Sequence, residues 1–162
     1  MKYCLINNLY PPFSIGGAEN IVEIIANSLS VNDQVLVITS SNNGDTEFKE
    51  IPNLKIIRLP SNNIYHYLDN KDKKIFFKLI WHIKDVFNFK TASLVKDILK
   101  REMPDVVMTH NLKGLSYEIP KVIRKLKLKH IHTLHDYQLL DPHGSLHRKG
   151  INIEKLPISL RV

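Results

Sequence analysis

Short apolar runs alternate along this 162-residue chain with longer stretches in which apolar positions return every three or four residues. That order predicts a mostly parallel sheet covered by helices on both faces, an α/β fold of the Rossmann-like kind. Strands are expected at Lys2–Asn7, Gln34–Ser40, Lys55–Leu59, Asp105–Thr109 and His130–Leu134, and helices at Gly17–Leu29, Lys71–Asn88, Thr91–Arg101 and Leu115–Leu126. In the first helix Ala18, Ile21, Val22, Ile25 and Leu29 share one side, with Glu19, Asn20, Glu23 and Asn27 on the other. Pro104 closes a helix before the next strand opens. Ser40–Asn53, polar and carrying Gly44 and Pro52, reads as a surface loop. Periodicity weakens from Asp141 onward, so residues 1–142 read as the domain and 143–162 as a connecting or truncated segment.

The second helical stretch has two apolar sides. Phe76, Leu79, Ile80, Ile83 and Phe87 form the stripe expected to face the core. Phe77 and Trp81 then project off it beside Lys74, Lys78 and Lys84, a flank suited to an anionic membrane surface or to packing against a neighbouring element.

Composition narrows the setting. A 43% hydrophobic content is enough for one core, and the single cysteine, Cys4, falls in the first strand as a small buried hydrophobe, with no disulfide framework around it. The apolar stretch before Asn7-Asn8 is too short for a signal peptide, and no run is long enough to span a bilayer. The expected location is therefore cytoplasmic, with peripheral contact at the inner face of the membrane. Lys and Arg total 23 against 16 acids, a formal +7, which favours anionic partners. Neither an aromatic-rich RNA-binding sequence nor helix-turn-helix spacing accompanies the lysines, so nucleic acid is not expected.

In an open parallel sheet, ligands bind beyond the carboxyl ends of the strands. Three polar clusters stand there: Gly16-Gly17 after the first strand, His110-Asn111 after Asp105–Thr109, and His135-Asp136-Tyr137 after His130–Leu134. The glycines let the chain turn and let a ligand approach a helix N-terminus, whose first N–H groups lack intrahelical partners. The loop is neither a dinucleotide fingerprint nor a P-loop. His130 and His132 share one strand face, His135 lies past its end on the opposite parity, and His143 and His147 have no glutamate beside them. No metal site and no cofactor are expected from that pattern.

Taken in order, Tyr10-Pro11-Pro12 through Gly16-Gly17-Ala18-Glu19, Pro104 through Asn111, and His132 through Tyr137 resemble the N-terminal half of a GT-B-fold retaining glycosyltransferase of the group 1 family. The resemblance implies a hexosyltransferase that moves a sugar from a UDP- or GDP-linked donor to a cell-surface polysaccharide or glycolipid acceptor. It implies that Gly16 and Gly17 lie against the donor phosphates and the acceptor, that His110 contacts the donor sugar as the catalytic residue, and that Asn111, His135, Asp136 and Tyr137 bind substrate on the acceptor side. Asp141-Pro142 stands where such proteins often have Cys-Pro. The resemblance also implies a second, nucleotide-binding domain in cis or in trans, without which transfer is not expected. The reading from another class is a non-catalytic Rossmann-like binding or interaction module.

Overall fold

The computed structural model describes residues 1–41, 46–70, 74–135, 147–148 and 151–152. In chain order the elements are β1 (Lys2–Ile6), α1 (Gly17–Ser30), β2 (Gln34–Ser41), β3 (Glu47–Ile51), β4 (Leu54–Pro60), a 3₁₀ turn (Tyr67–Asn70), α2 (Ile75–Val86), α3 (Phe89–Glu102), β5 (Val106–Thr109), α4 (Ile119–Lys125), β6 (Lys129–His132), β7 (His147–Arg148) and β8 (Ile151–Asn152). Six strands form one sheet in the order β3-β4-β2-β1-β5-β6, parallel throughout except for β3. The two short strands β7 and β8 pair with each other. The sheet grows from β1 through β2 to β4, then returns to add β5 and β6 on the other side. The switch point, where a crevice opens beyond the carboxyl ends, therefore lies between β1 and β5.

The inner strands β1, β2, β4 and β5 are largely buried on both faces, so successive side chains enter two different cores. Cys4 and Ile6 of β1 join Leu36, Ile38, Ile57 and Leu59 beneath α3 and α4, where Val95, Leu99, Ile119 and Ile123 pack. Leu5 points the other way, into a smaller core of Val35, Val37, Leu54 and Ile56 closed by Val22 and Ala26 of α1. At the amino edge of the sheet Glu102 accepts ion pairs from Lys2 and Lys55, both at 2.8 Å, and these hold its carboxyl down at about 2.

Two expectations are corrected. The stretch read as a loop from Ser40 to Asn53 contains β3, which pairs antiparallel with β4 across the Pro52-Asn53 turn. Its side chains at Phe48, Lys49, Glu50 and Ile51 are exposed, so an edge strand paired on one side left no apolar run to read. Asn53 adopts the left-handed conformation (φ 60°), the kind of turn position that Asn tolerates.

The second correction concerns α2. Trp81, placed by its pattern on the membrane side, is 1% exposed; its Nε1–H donates to the Tyr65 carbonyl at 2.9 Å and its ring stacks on Tyr65. Asp85, one turn on, is also buried, and both carboxylate oxygens accept from the Gly114 N–H at 3.0 Å. The stripe expected to face the core points outward: Phe76 is 65% exposed and Ile83 55%. Trp81 and Asp85 decide the face because each carries a polar group that finds a buried partner only on that side. Phe77, Lys74 and Lys84 are exposed and Lys78 partly so.

Burial raises the Asp85 carboxyl from an ordinary 3.8 to about 6, against the opposing Gly114 bond and Lys113 charge. Replacing it with Ala strands the buried Gly114 N–H and is expected to cost about 1–3 kcal/mol. Asp85→Asn keeps an acceptor, removes the buried charge and should stay within about 1 kcal/mol of wild type at pH 7. Because the folded-state value lies above the ordinary one, the folded chain takes up the proton first as pH falls. Wild type should therefore gain stability relative to Asp85→Asn between about pH 6 and pH 4. Denaturant midpoints at pH 7 and pH 5 test this, and equal losses in the Ala and Asn variants would contradict it.

Candidate functional site

Two consecutive asparagines at the end of β1 build the crevice. Asn7 Nδ2 donates to the Leu9 carbonyl at 2.7 Å, while its Oδ1 accepts from the Asn111 N–H at 3.0 Å. Asn8 donates its own N–H to the Asn111 carbonyl at 2.7 Å, and its carbonyl accepts from the Ser40 N–H and hydroxyl and from the Thr39 hydroxyl. The loops leaving β1, β2 and β5 are thus tied together with their polar groups satisfied in the interior. His66 extends the tie: its Nδ1 accepts from the Leu68 N–H, so Nε2 carries the proton that faces Ser40 Oγ at 3.1 Å.

The segment between β1 and α1 is held from the other side by Arg58 of β4. Its guanidinium donates to the Tyr10 and Pro11 carbonyls and lies over the Phe13 ring, 5.8 Å from the centroid. Beyond this clamp the chain reaches Gly16, whose N–H donates to Glu19 Oε2 at 3.0 Å, and α1 begins. A carboxylate three residues into the helix meets an N–H that otherwise lacks a partner. Gly16 is extended (φ −143°) and Gly17 is helical, so neither needs the left-handed conformation; the expectation that the glycines serve a sharp turn is corrected. What they leave is space: a Cβ on Gly17 would meet nothing within 4 Å.

That space is a cleft of about 580 Å³ in which Gly16, Gly17, Glu19, Asn8, Asn111 and His135 come together. Among the described residues lining it there is no Lys or Arg. Its polar side chains are a buried carboxylate, three asparagines (Asn8, Asn20 and Asn111) and an imidazole.

His110 leaves the end of β5 behind this cleft and is 2% exposed. Its Nδ1 lies 2.9 Å from His135 Nε2 with the rings 5.1 Å apart, and its own Nε2 is buried with no hydrogen-bond partner among the described residues. Burial first, then the His135 and His132 rings, pull His110 from an ordinary 6.5 down to about 4, so it is neutral at physiological pH. Thr109 Oγ1 meets two further imidazoles, His130 Nε2 at 2.7 Å and His132 Nδ1 at 2.8 Å. These four histidines, with Leu112, Tyr117, Pro120 and Leu134, line a second cavity of about 420 Å³ that shares Asn111 and His135 with the first. Among the described residues no three His, Cys, Asp or Glu side chains are grouped as a metal centre requires.

The structure therefore brings Gly16, Gly17, Asn111 and His135 around one cleft, with His110 behind them in contact with His135. Asp136 and Tyr137 lie outside the described residues. Lys74, Phe77, Lys78, Trp81 and Lys84 lie on or at the start of α2, and none of them lines either cavity. Sequence reasoning missed Asn7 and Asn8 as the ties of the site, and missed Arg58 and His66. Arg58 carried a signal, a single guanidinium inside the apolar run of β4; His66 carried none in the local pattern.

The model of Glycosyltransferase Family 4 matches residues 15–156. A curated relative from Klebsiella pneumoniae, described as an uncharacterized 42.6 kDa protein in the cps region, is 36% identical over 163 residues, covering 99% of this chain and 44% of its own length. The chain thus spans less than half the relative it matches. Among solved structures, sucrose-phosphate synthase from Thermosynechococcus elongatus aligns with a TM-score of 0.58 at 14% identity, covering 98% of this chain and 39% of that one. An E. coli structure described as trehalose-6-phosphate bound with UDP-2-fluoro glucose aligns with a TM-score of 0.47 at 13% identity, covering 83% and 32%. The sheet order and the helices over both faces are those of a Rossmann-like domain of the GT-B fold, and on the match from the glycine loop through the His135 loop the chain belongs to Glycosyltransferase Family 4.

Proposed function

We propose that this chain, over residues 1–142, is the acceptor-side domain of a glycosyltransferase that moves a hexose from a UDP- or GDP-linked donor to a polysaccharide or lipid-linked acceptor at the inner face of a membrane. The observation that carries the reading is the cleft over Gly17: open, lined by hydrogen-bonding groups, and without a Lys or Arg among its described residues. Glu19, Asn8, Asn111 and His135 suit sugar hydroxyls, which both donate and accept. A diphosphate leaving group, by contrast, develops negative charge and needs cations or several N–H donors aimed at it. The first N–H groups of α1 can contribute to that, but Glu19 opposes it. The bulk of the donor charge is therefore met by a second domain, in cis or in trans, which also closes the crevice from the other side.

His110 acts as a neutral imidazole. With Nδ1 engaged by His135, its unpartnered Nε2 offers one hydrogen bond to a sugar hydroxyl without placing a charge in the cavity. His135 orients that ring and reaches the cleft itself, and Asp136 and Tyr137 complete the acceptor side. A non-catalytic module would have no use for an open Gly17 backed by a buried, half-satisfied histidine.

Four outcomes are expected. The 162-residue chain alone transfers no measurable sugar from UDP- or GDP-hexoses, and robust turnover by it would overturn the need for a second domain. In the full-length protein Gly17→Leu fills the cleft and raises the acceptor KM by about tenfold or more while donor Kd stays within about a factor of two. An equal loss of donor affinity would reverse the assignment of sides. His110→Ala lowers kcat roughly 100-fold. The wild-type rate shows no acid-side inflection from His110 until pH nears about 4, because its folded value lies below the ordinary 6.5. An inflection near pH 6.5 abolished in His110→Ala would show that the ring titrates in the working range.

A further inference from the structure

α2 is fastened by a narrow stripe and leaves most of its circumference outside. Trp81 and Asp85 are buried, and Asn63 Nδ2 donates to the Trp81 carbonyl at 3.1 Å. At 100° per residue, Leu79, Ile83 and Val86 stand roughly opposite that stripe, with Phe76 and Ile75 beside them. All five are exposed. Lys78 and His82 lie along one flank of this apolar face and Lys84 along the other, with Lys74 at the amino end. The one acid in the helix, Asp85, is turned inward to the Gly114 N–H.

We propose that α2 is a membrane-contact helix, seating its outward apolar face in the headgroup boundary of an anionic bilayer. The proposal deepens the reading of a membrane-borne acceptor and rests on it only for the reason the contact would be useful. An apolar face bounded on both flanks by lysines whose stems can lie along it is the pattern of a helix lying in the interface plane. Charge decides the occupant. Every formal charge that α2 exposes is positive, and an anionic bilayer offers both an apolar interior and a negative rim. A soluble partner would have to supply an apolar groove ringed by acids.

The seating is also wired to the site. Asp85 grips Gly114, and Asn88 Nδ2 donates to the Leu115 carbonyl at 3.0 Å, so the helix and the segment that follows it hold the loop that descends from His110 and Asn111. Contact at α2 therefore fixes the height and tilt of the cleft over the bilayer.

The test uses the full-length protein, without sugar nucleotide, and vesicles of phosphatidylcholine with or without roughly one-third phosphatidylglycerol. Wild type should sediment with the anionic vesicles only. Leu79→Ser/Ile83→Ser, which alters exposed positions facing away from the core, should weaken that partition by about tenfold or more. Lys78→Glu/Lys84→Glu should weaken it by at least a comparable factor at low salt and by less at high salt. An environment-sensitive dye on Ile83→Cys should report water before vesicles are added and an apolar surround after. Absence of binding by wild type, unaltered binding by both double variants, or an apolar dye signal before vesicles, which would mean that another part of the protein or a second copy covers the face, would each overturn the proposal. Since no sugar is present, a negative result leaves the transferase reading standing, and loss of transfer with intact vesicle binding strikes the transferase reading alone.

Discussion

The exchange of hydrogen bonds between Asn7-Asn8 and Asn111 is the constraint on which the rest of the site depends. A switch point in a parallel sheet is where two neighbouring loops part company, because the connection on one side runs over one face and that on the other side runs over the opposite face. Left alone, such loops would open a water-filled notch between β1 and β5. Here an amide side chain and a main-chain pair close it, and the Asn8 carbonyl gathers Ser40 and Thr39 of β2 into the same knot. These polar atoms are buried or, at Asn111, half-buried, and each has a partner, so the knot is rigid for the same reason that it is costly to disturb. The glycine loop, the His110 loop and the end of β2 therefore keep their spacing without needing a ligand to set it.

Electrostatics divides the molecule in a way that net charge conceals. The chain is basic overall, yet the cleft beneath the glycine loop carries a buried glutamate, while lysines flank the outward face of α2. The proposed binding of neutral, hydroxyl-rich molecules and the proposed attraction to an anionic surface would thus fall to different parts of one small domain. The helix that bears the lysines is bonded to the loop that bears the histidine, so the two are mechanically continuous even though their chemistry is separate.

Much of the fold was legible because parallel strands buried on both faces declare themselves as apolar runs, and β1, β2, β4 and β5 fall within a residue of where the pattern put them. The strand β3 was not legible from apolarity, since an edge strand with exposed side chains has none to show; its signal was the Pro52-Asn53 turn. The inward face of α2 was undecidable for a different reason. Its apolar residues go all the way round, and the choice was made by two polar contacts, Trp81 to Tyr65 and Asp85 to Gly114, that exist only once the chain has folded. At the site, the positions after the strands could be read from topology alone, and Gly17, Asn111 and His135 do meet there. The pairing of His110 with His135 was hidden because strand parity argues about residues inside a strand, whereas His135 lies beyond the end of β6, where the chain has turned.

Thr109 holds two imidazoles on one hydroxyl, and a hydroxyl has a single proton to give. With both rings neutral, if Oγ1 donates to His130 Nε2, it must accept from His132 Nδ1–H; if it donates to His132, it must accept from His130. The far nitrogens follow in opposition: in the first arrangement His130 shows an N–H and His132 a lone pair, and in the second the roles are exchanged. Passing from one arrangement to the other takes more than turning the hydroxyl: each ring must also exchange its proton from one nitrogen to the other, so the hydroxyl and the two tautomers change together. One threonine hydroxyl thus couples the tautomers of two histidines on the wall of the cavity.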